Sequence, residues 1–332
     1  MQELQITMLG ASGVGKTSLL TAIYEQFEST IGRANLQLTP DDHSSAILQK
    51  RLAELRNLTT DFLARGGVKG TEAPLDPSTL RSFIFDIGAK GKQPAQRLYF
   101  RDYPGGYMTA EATSQQRDFV KQLLRDSVAV LLTIDATALM EEDGRWHEQI
   151  NRPLQMTNLF KAAYQELDSP RLVILAPVKC ETYLREPNSR ATDLLQNIRV
   201  KYANLLNYLN SEPLFNNVAV VVTPVQTVGS VIYSRIEEKA DEEGKLQPLF
   251  YFRKTRFKET YQPRDSEQPL LYLLRFLLKL DIESRRFPGS KLFRKWLGMD
   301  RLFQDAVQEL KNGCKTTGGF AVLQGERWLK VN

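Results

Sequence analysis

The chain is expected to fold as an α/β protein around a doubly wound, mostly parallel sheet, with a helical insertion after the first helix and a C-terminal extension. Three observations carry this. An apolar run at 4–9 meets a glycine-rich turn and is followed by Leu20, Ile23, Tyr24 and Phe27 at helical spacing. The short apolar runs 128–134, 172–176 and 218–222 are of the kind buried on both faces of a parallel sheet. Helical stretches around 149–167 and 192–209 separate them, and such alternation implies right-handed crossovers.

A chain of 332 residues, 42% apolar and 25% charged, has the material for a sizeable core. Its 44 basic and 39 acidic residues leave a net charge of +5, too little and too spread out for a nucleic-acid footprint, so no nucleic-acid partner is expected. Cys180 and Cys314 are the only cysteines and show neither metal nor redox spacing, which suits a reducing, cytoplasmic compartment. The start of the chain has no export-signal pattern, and no apolar run reaches the roughly 18 to 20 residues of a spanning helix. The run at 270–280 is broken by Arg275 and Lys279 and reads as a buried or amphipathic helix, within a helical segment at about 268–281.

Between 28 and 79 the composition turns polar. Leu48, Leu52, Leu55 and Phe62 share one helical face between the turn signals at Pro40 and Gly66, so 30–79 reads as an inserted, mostly helical excursion. Two strands at 82–86 and 97–102, joined by a glycine-containing loop, form a hairpin, and a helix follows at about 112–125. The stretch 250–254 (FYFRK) alternates faces like an exposed edge strand. The ends 320–323 and 328–331 are placed to pair as a terminal hairpin. Residues 1–230 therefore read as one nucleotide-type domain, and 231–332 as an extension packed on it.

The segment 10–17, GASGVGKT, carries the chemistry. Between a strand and a helix, GxxxxGKT is among the more specific short patterns known. Gly10, Gly13 and Gly15 let the backbone wrap so that N–H groups along Ser12, Gly13, Val14, Gly15, Lys16, Thr17 and Ser18 point at phosphate oxygens. The helix N-terminus adds its positive end. Lys16 should reach the β- and γ-phosphates, and the Thr17 hydroxyl should ligate magnesium.

The segment 98–106, LYFRDYPGG, places Asp102 at the end of an apolar strand, three residues before Gly105. Here the chain resembles the Ras-like, TRAFAC-type P-loop GTPases. The resemblance implies that Asp102 joins the magnesium shell and that the Gly105 amide meets the γ-phosphate. Residues 172–181, LVILAPVKCE, are similar to the strand bearing the family's NKxD motif. Lys179 matches; Val178 stands for the asparagine and Glu181 for the guanine-pairing aspartate, one methylene longer but able to accept the same two hydrogen bonds. Pro224, in 223–227, takes the position of the loop whose amides approach the base. The resemblance implies GTP or GDP with Mg2+ as ligands. The wider pattern is similar to large bacterial double-GTPases of multi-gene conflict systems.

The chain departs from the family around its switches. Thr17 and Asp102 lie 85 positions apart, and the excess is the polar excursion. Thr79 is the best-placed switch threonine, with Thr71 its rival. Where the family has a water-orienting glutamine this chain has Gly106, which cannot orient water. Hydrolysis should therefore be slow, or assisted by an arginine: Arg33 or Arg65 in cis, or one from a partner. Asp135 reads as a helix cap, and His43 and His147 as surface residues. The leading expectation is a slow GTPase switch whose insertion and C-terminal extension meet one or more protein partners. A P-loop ATPase or kinase, or a scaffold with structural nucleotide, are the alternatives.

Overall fold

The computed structural model describes residues 2–31, 36–60, 62–63, 65–66, 81–94, 96–102, 107, 112–241, 244, 246–284, 308–309 and 312–331. Two consecutive segments, β1 (Gln2–Leu9) and α1 (Lys16–Ile31), flank the glycine-rich loop. The hairpin expected next is present as β4 (Arg81–Ala89) against β5 (Gln96–Asp102). Its register sets Asp86 opposite Arg97, and the carboxylate accepts from Nε at 2.7 Å and from the terminal guanidinium nitrogen at 2.9 Å.

The buried strands β6 (Ala129–Asp135), β7 (Arg171–Val178) and β8 (Val218–Val222) run parallel to β1. Their two-residue period sorts side chains between two cores. Ala129, Leu131, Leu172, Ile174, Ala219 and Val221 face one layer, with α1 and α9 (Gln268–Ser284). Val130, Leu132, Val173, Leu175, Val220 and Val222 face the other. That second layer is covered by α3 (Ser114–Asp126), α6 (Pro153–Ala163), α7 (Ala191–Lys201) and α8 (Ala203–Leu209). Continuous apolar strands are what burial on both faces demands.

The excursion is only partly helical. Its first piece is an edge strand, β2 (Leu36–Pro40), antiparallel to β4, with Leu36 and Leu38 buried and Gln37 exposed. α2 (Asp42–Asn57) then starts at Asp41, whose Oδ1 accepts from the Ser44 amide at 2.8 Å, and buries Leu48 and Leu55. A two-residue strand, β3 (Arg65–Gly66), leaves this region to join a separate sheet ordered β3, β10 (Leu246–Lys254), β9 (Val231–Ala240). The stretch 250–254 thus lies in the middle strand of that sheet, not at an edge. The expected terminal hairpin is absent: β11 (Ala321–Gln324) pairs antiparallel with β8, and Glu326–Trp328 is a 3-10 turn. A free backbone edge on β8 is a better partner for a four-residue strand than a hairpin alone in water.

The main sheet runs β11-β8-β7-β6-β1-β5-β4-β2. β1 is paired on one side with β5 and on the other with β6, so the winding direction reverses there. Ligands of open α/β sheets bind in the crevice outside the carboxyl ends of the strands at such a reversal. The glycine loop, Asp102, Asp135 and Lys179 all emerge at those ends.

Candidate functional site

The loop after β1 is built by backbone conformations that side chains resist. Gly10 has φ +149° and a Cβ there would sit 3.0 Å from the Thr133 carbonyl; Gly13 has φ +79° and opens onto empty space. Val14 is fully buried, so of this residue only the backbone is available to a phosphate, whereas Ser12 is exposed and Ser18 lines the cleft. Lys16, at the start of α1, folds back: its Nζ donates to the Gly10 carbonyl at 3.0 Å and the Ala11 carbonyl at 3.3 Å. It also lies 3.8 Å from Asp102 Oδ1. Burial lowers the Lys16 pKa and raises that of Asp102, each opposed by the other's charge.

The residues expected to hold magnesium are together. Thr17 Oγ1 donates to Asp102 Oδ2 at 3.3 Å, while Asp102 Oδ1 is buried with no hydrogen-bond partner. A hydroxyl and a carboxylate with one oxygen free of hydrogen bonds are hard oxygen donors of the kind magnesium takes, so the residues fit the ion.

At the other end of the cleft, Lys179 follows β7 in a left-handed conformation, φ +60°, which costs a non-glycine residue on the order of 1 kcal/mol. Its ammonium is held 2.5 Å from Asp135 Oδ2, and Asp135 Oδ1 caps α4 (Ala136–Met140) by accepting from the Ala138 amide. The cap expected at Asp135 is present, with this ion pair added. Glu181 is buried, and its Oε1 accepts from the amides of Val228 at 2.8 Å and Gly229 at 3.1 Å. Burial raises its pKa; these amides and Lys179 oppose the rise.

One cleft brings these parts together, lined by Gly13, Gly15, Ser18, Val178, Lys179 and Glu181. Val178 faces Gly15, at 3.4 Å from a Cβ built there, so the position matching the family's asparagine is an apolar wall. Pro224 is not among the lining residues. It sits beside Gly319, and Thr227 and Val228 reach the cleft in its place, because the chain after β8 stays tied to β7 through Val225 to Pro177 and Cys180. Leu55, Leu58, Val231 and Phe252 form the cover. Sequence reading placed Leu55 on a helix face and Phe252 in an edge strand, and gave neither a place at the site. Their meeting depends on the β3–β10 pairing, for which two residues of strand carry no pattern.

His147 is buried, not on the surface: Asn151 Nδ2 lies 3.0 Å from its Nδ1 and Tyr202 packs edge-on. His43 is exposed as expected, and both thiols are buried and free. Arg33, Thr71, Thr79, Gly105 and Gly106 lie outside the described residues, and Arg65 is placed by its backbone alone, in β3.

A phosphate-type loop at the reversal point of a mostly parallel, doubly wound sheet defines a protein with a P-loop NTPase-like fold. No family model and no curated protein matches the chain. Among solved structures it is similar to the GTPase-like domain of Ski7 from S. cerevisiae bound to GTP, with TM-score 0.36 and 14% identity over 67% of this chain and 43% of that one. The same domain bound to GDP and inorganic phosphate gives TM-score 0.36 and 16% identity over 87% and 51%. The chain spans about half the length of these structures. Among the described residues no helix is long and apolar enough to cross a membrane.

Proposed function

We propose that the protein binds guanosine triphosphate with magnesium, hydrolyses it slowly, and in its bound state controls a protein partner in the cytoplasm. The observation that carries this reading is the cleft that joins the glycine loop to Lys179 and Glu181, with Thr17, next to Lys16 of that loop, hydrogen-bonded to Asp102. On arrival of a triphosphate, Lys16 exchanges the Gly10 and Ala11 carbonyls for β- and γ-phosphate oxygens, a charge-assisted contact in a partly dry site. Thr17 and Asp102 would hold a magnesium ion, which would supply neutralisation of the triphosphate's charge. Gly105 donates its amide to the γ-phosphate, and Thr79 senses it. Lys179 lays its stem along the base. Glu181 accepts from the guanine edge while anchored to the loop amides, and Thr227 and Val228 take the place expected of Pro224.

A P-loop ATPase or kinase is the second reading. It is favoured by the apolar Val178 wall and by the use of Glu181 Oε1 on backbone amides, both of which reduce what is left to read guanine. A scaffold with structural nucleotide would bind but never turn over. Calorimetric titration of wild type, Lys16→Ala and Glu181→Ala with magnesium GTP and magnesium ATP separates these readings. Lys16→Ala is expected to abolish triphosphate binding, and unchanged affinity would sink the phosphate-loop assignment. Glu181→Ala is expected to lose about tenfold or more for GTP, equivalent to roughly 1.5 to 3 kcal/mol for hydrogen bonds to a charged group, and to leave ATP unaffected. Equal losses for both nucleotides move the chain to the second reading.

A further inference from the structure

We infer that the β9–β10 hairpin is part of the nucleotide site, with Phe252 providing the surface on which a planar base stacks. The inference rests on the nucleotide-binding reading above and adds to it a residue from beyond the strands and loops that form the rest of the cleft. Phe252 lies on β10, in a sheet separate from the one carrying the phosphate loop, yet it lines the same cleft as Gly13, Lys179 and Glu181. The Lys179 ammonium is 5.8 Å from the centre of its ring. A flat ring held between two groups needs about 7 Å, two van der Waals contacts of about 3.5 Å, so a small outward shift of the hairpin admits a base. The Lys179 ammonium is held in place over the ring by its ion pair with the buried Asp135.

Phe252 is also tied to the insertion. β3 pairs with it and with Tyr251, and Leu55 and Leu58 of the α2 region pack into the same small apolar cluster. A base on Phe252 therefore presses on a joint between the insertion and the C-terminal hairpin, two regions far apart in sequence.

The test uses the full-length protein and two ligands, magnesium GTP and magnesium tripolyphosphate, which has the phosphates without a base. Phe252→Leu keeps an apolar side chain in the cluster and removes the ring; Phe252→Tyr restores a ring. Aromatic stacking predicts that Phe252→Leu weakens GTP by about five- to a hundredfold, leaves tripolyphosphate within about twofold, and that Phe252→Tyr regains most of the GTP affinity. Unchanged GTP affinity in Phe252→Leu, or equal losses for both ligands, overturns the assignment. Failure of the wild type to bind either ligand overturns the phosphate-loop reading, and the stacking role with it. A leucine variant that melts early while the tyrosine variant neither melts early nor regains GTP affinity also counts against stacking.

Discussion

At His147, burial and then the nearby Lys201 charge push the pKa down to about 4 from 6.5. Asn151, oriented by the Asp135 backbone, donates through Nδ2 to Nδ1, so the neutral ring carries its proton on the enclosed Nε2, and a second proton on Nδ1 would face the Asn151 amide as a buried, unpaired charge. The unfolded chain takes up that proton between about pH 6.5 and 4 while the folded chain does not. The stabilisation is therefore complete above pH 6.5 and disappears as pH falls through about 4. At pH 5 the loss relative to neutral pH is on the order of 2 kcal/mol. His147→Gln, which cannot titrate, is expected to show a smaller fall in urea midpoint between pH 7 and pH 5; equal falls in the two proteins would disprove the assignment. Nothing in the sequence announced this burial, because the partners of His147 arrive from Asn151, one turn on, and from Tyr202 across the fold. Lys16, Thr17 and Asp102 were readable for the opposite reason. Their chemistry is fixed by a loop of eight residues and by the last position of a strand, both local in sequence.

Among the elements, α9 was legible as a buried or amphipathic helix, but not in which of its faces meets the core. Its apolar residues surround it, so periodicity alone does not say which face is covered. In the fold, Leu270, Leu273, Leu274 and Leu277 share a core with Ile6, Met8, Leu20 and Ile23. The two charges that interrupt the apolar run are both engaged: Arg275 Nε donates to the Leu329 carbonyl, and Lys279 pairs with Glu283 at 2.9 Å. Leu274→Ala should then behave as a central core truncation, losing about 2 to 5 kcal/mol in urea unfolding with an unchanged slope. A loss below about 1 kcal/mol would show that α9 is a peripheral attachment. β2 is the reverse case. Leu36 and Leu38 alternate with Gln37 as an edge strand should, but a five-residue alternation next to a two-turn helical stripe at Leu48, Leu52 and Leu55 was absorbed into the helix. β11 was legible as a strand, but its partner β8 lies about a hundred residues away, and distance in sequence carries no pairing signal.

For the molecule as a whole, the doubly wound, mostly parallel class followed from alternating strands and helices, while the cover of the cleft did not, since α2, β9 and β10 meet only in three dimensions. This arrangement bears on turnover. Proteins of this fold that hydrolyse their nucleotide must align a water with the γ-phosphate, and Gly106 has no side chain with which to do so. On the proposed function, purified protein preloaded with magnesium GTP should hydrolyse it slowly in a single turnover, a format that isolates chemistry from nucleotide release. Two sources can supply the lost group. If it comes in cis, Arg33→Ala or Arg65→Ala lowers the rate by about tenfold or more, equivalent to about 1.4 kcal/mol in the barrier. Arg65 is the more informative of the two, because its backbone sits in β3, paired with Phe252 at the cover of the cleft. If it comes in trans, neither substitution changes the rate, and a partner bound at the insertion or the hairpin accelerates it by on the order of a thousandfold, as an arginine finger does. A fast intrinsic rate that survives both arginine substitutions excludes both sources and with them the account of Gly106, since water would then be aligned by a group already inside the cleft.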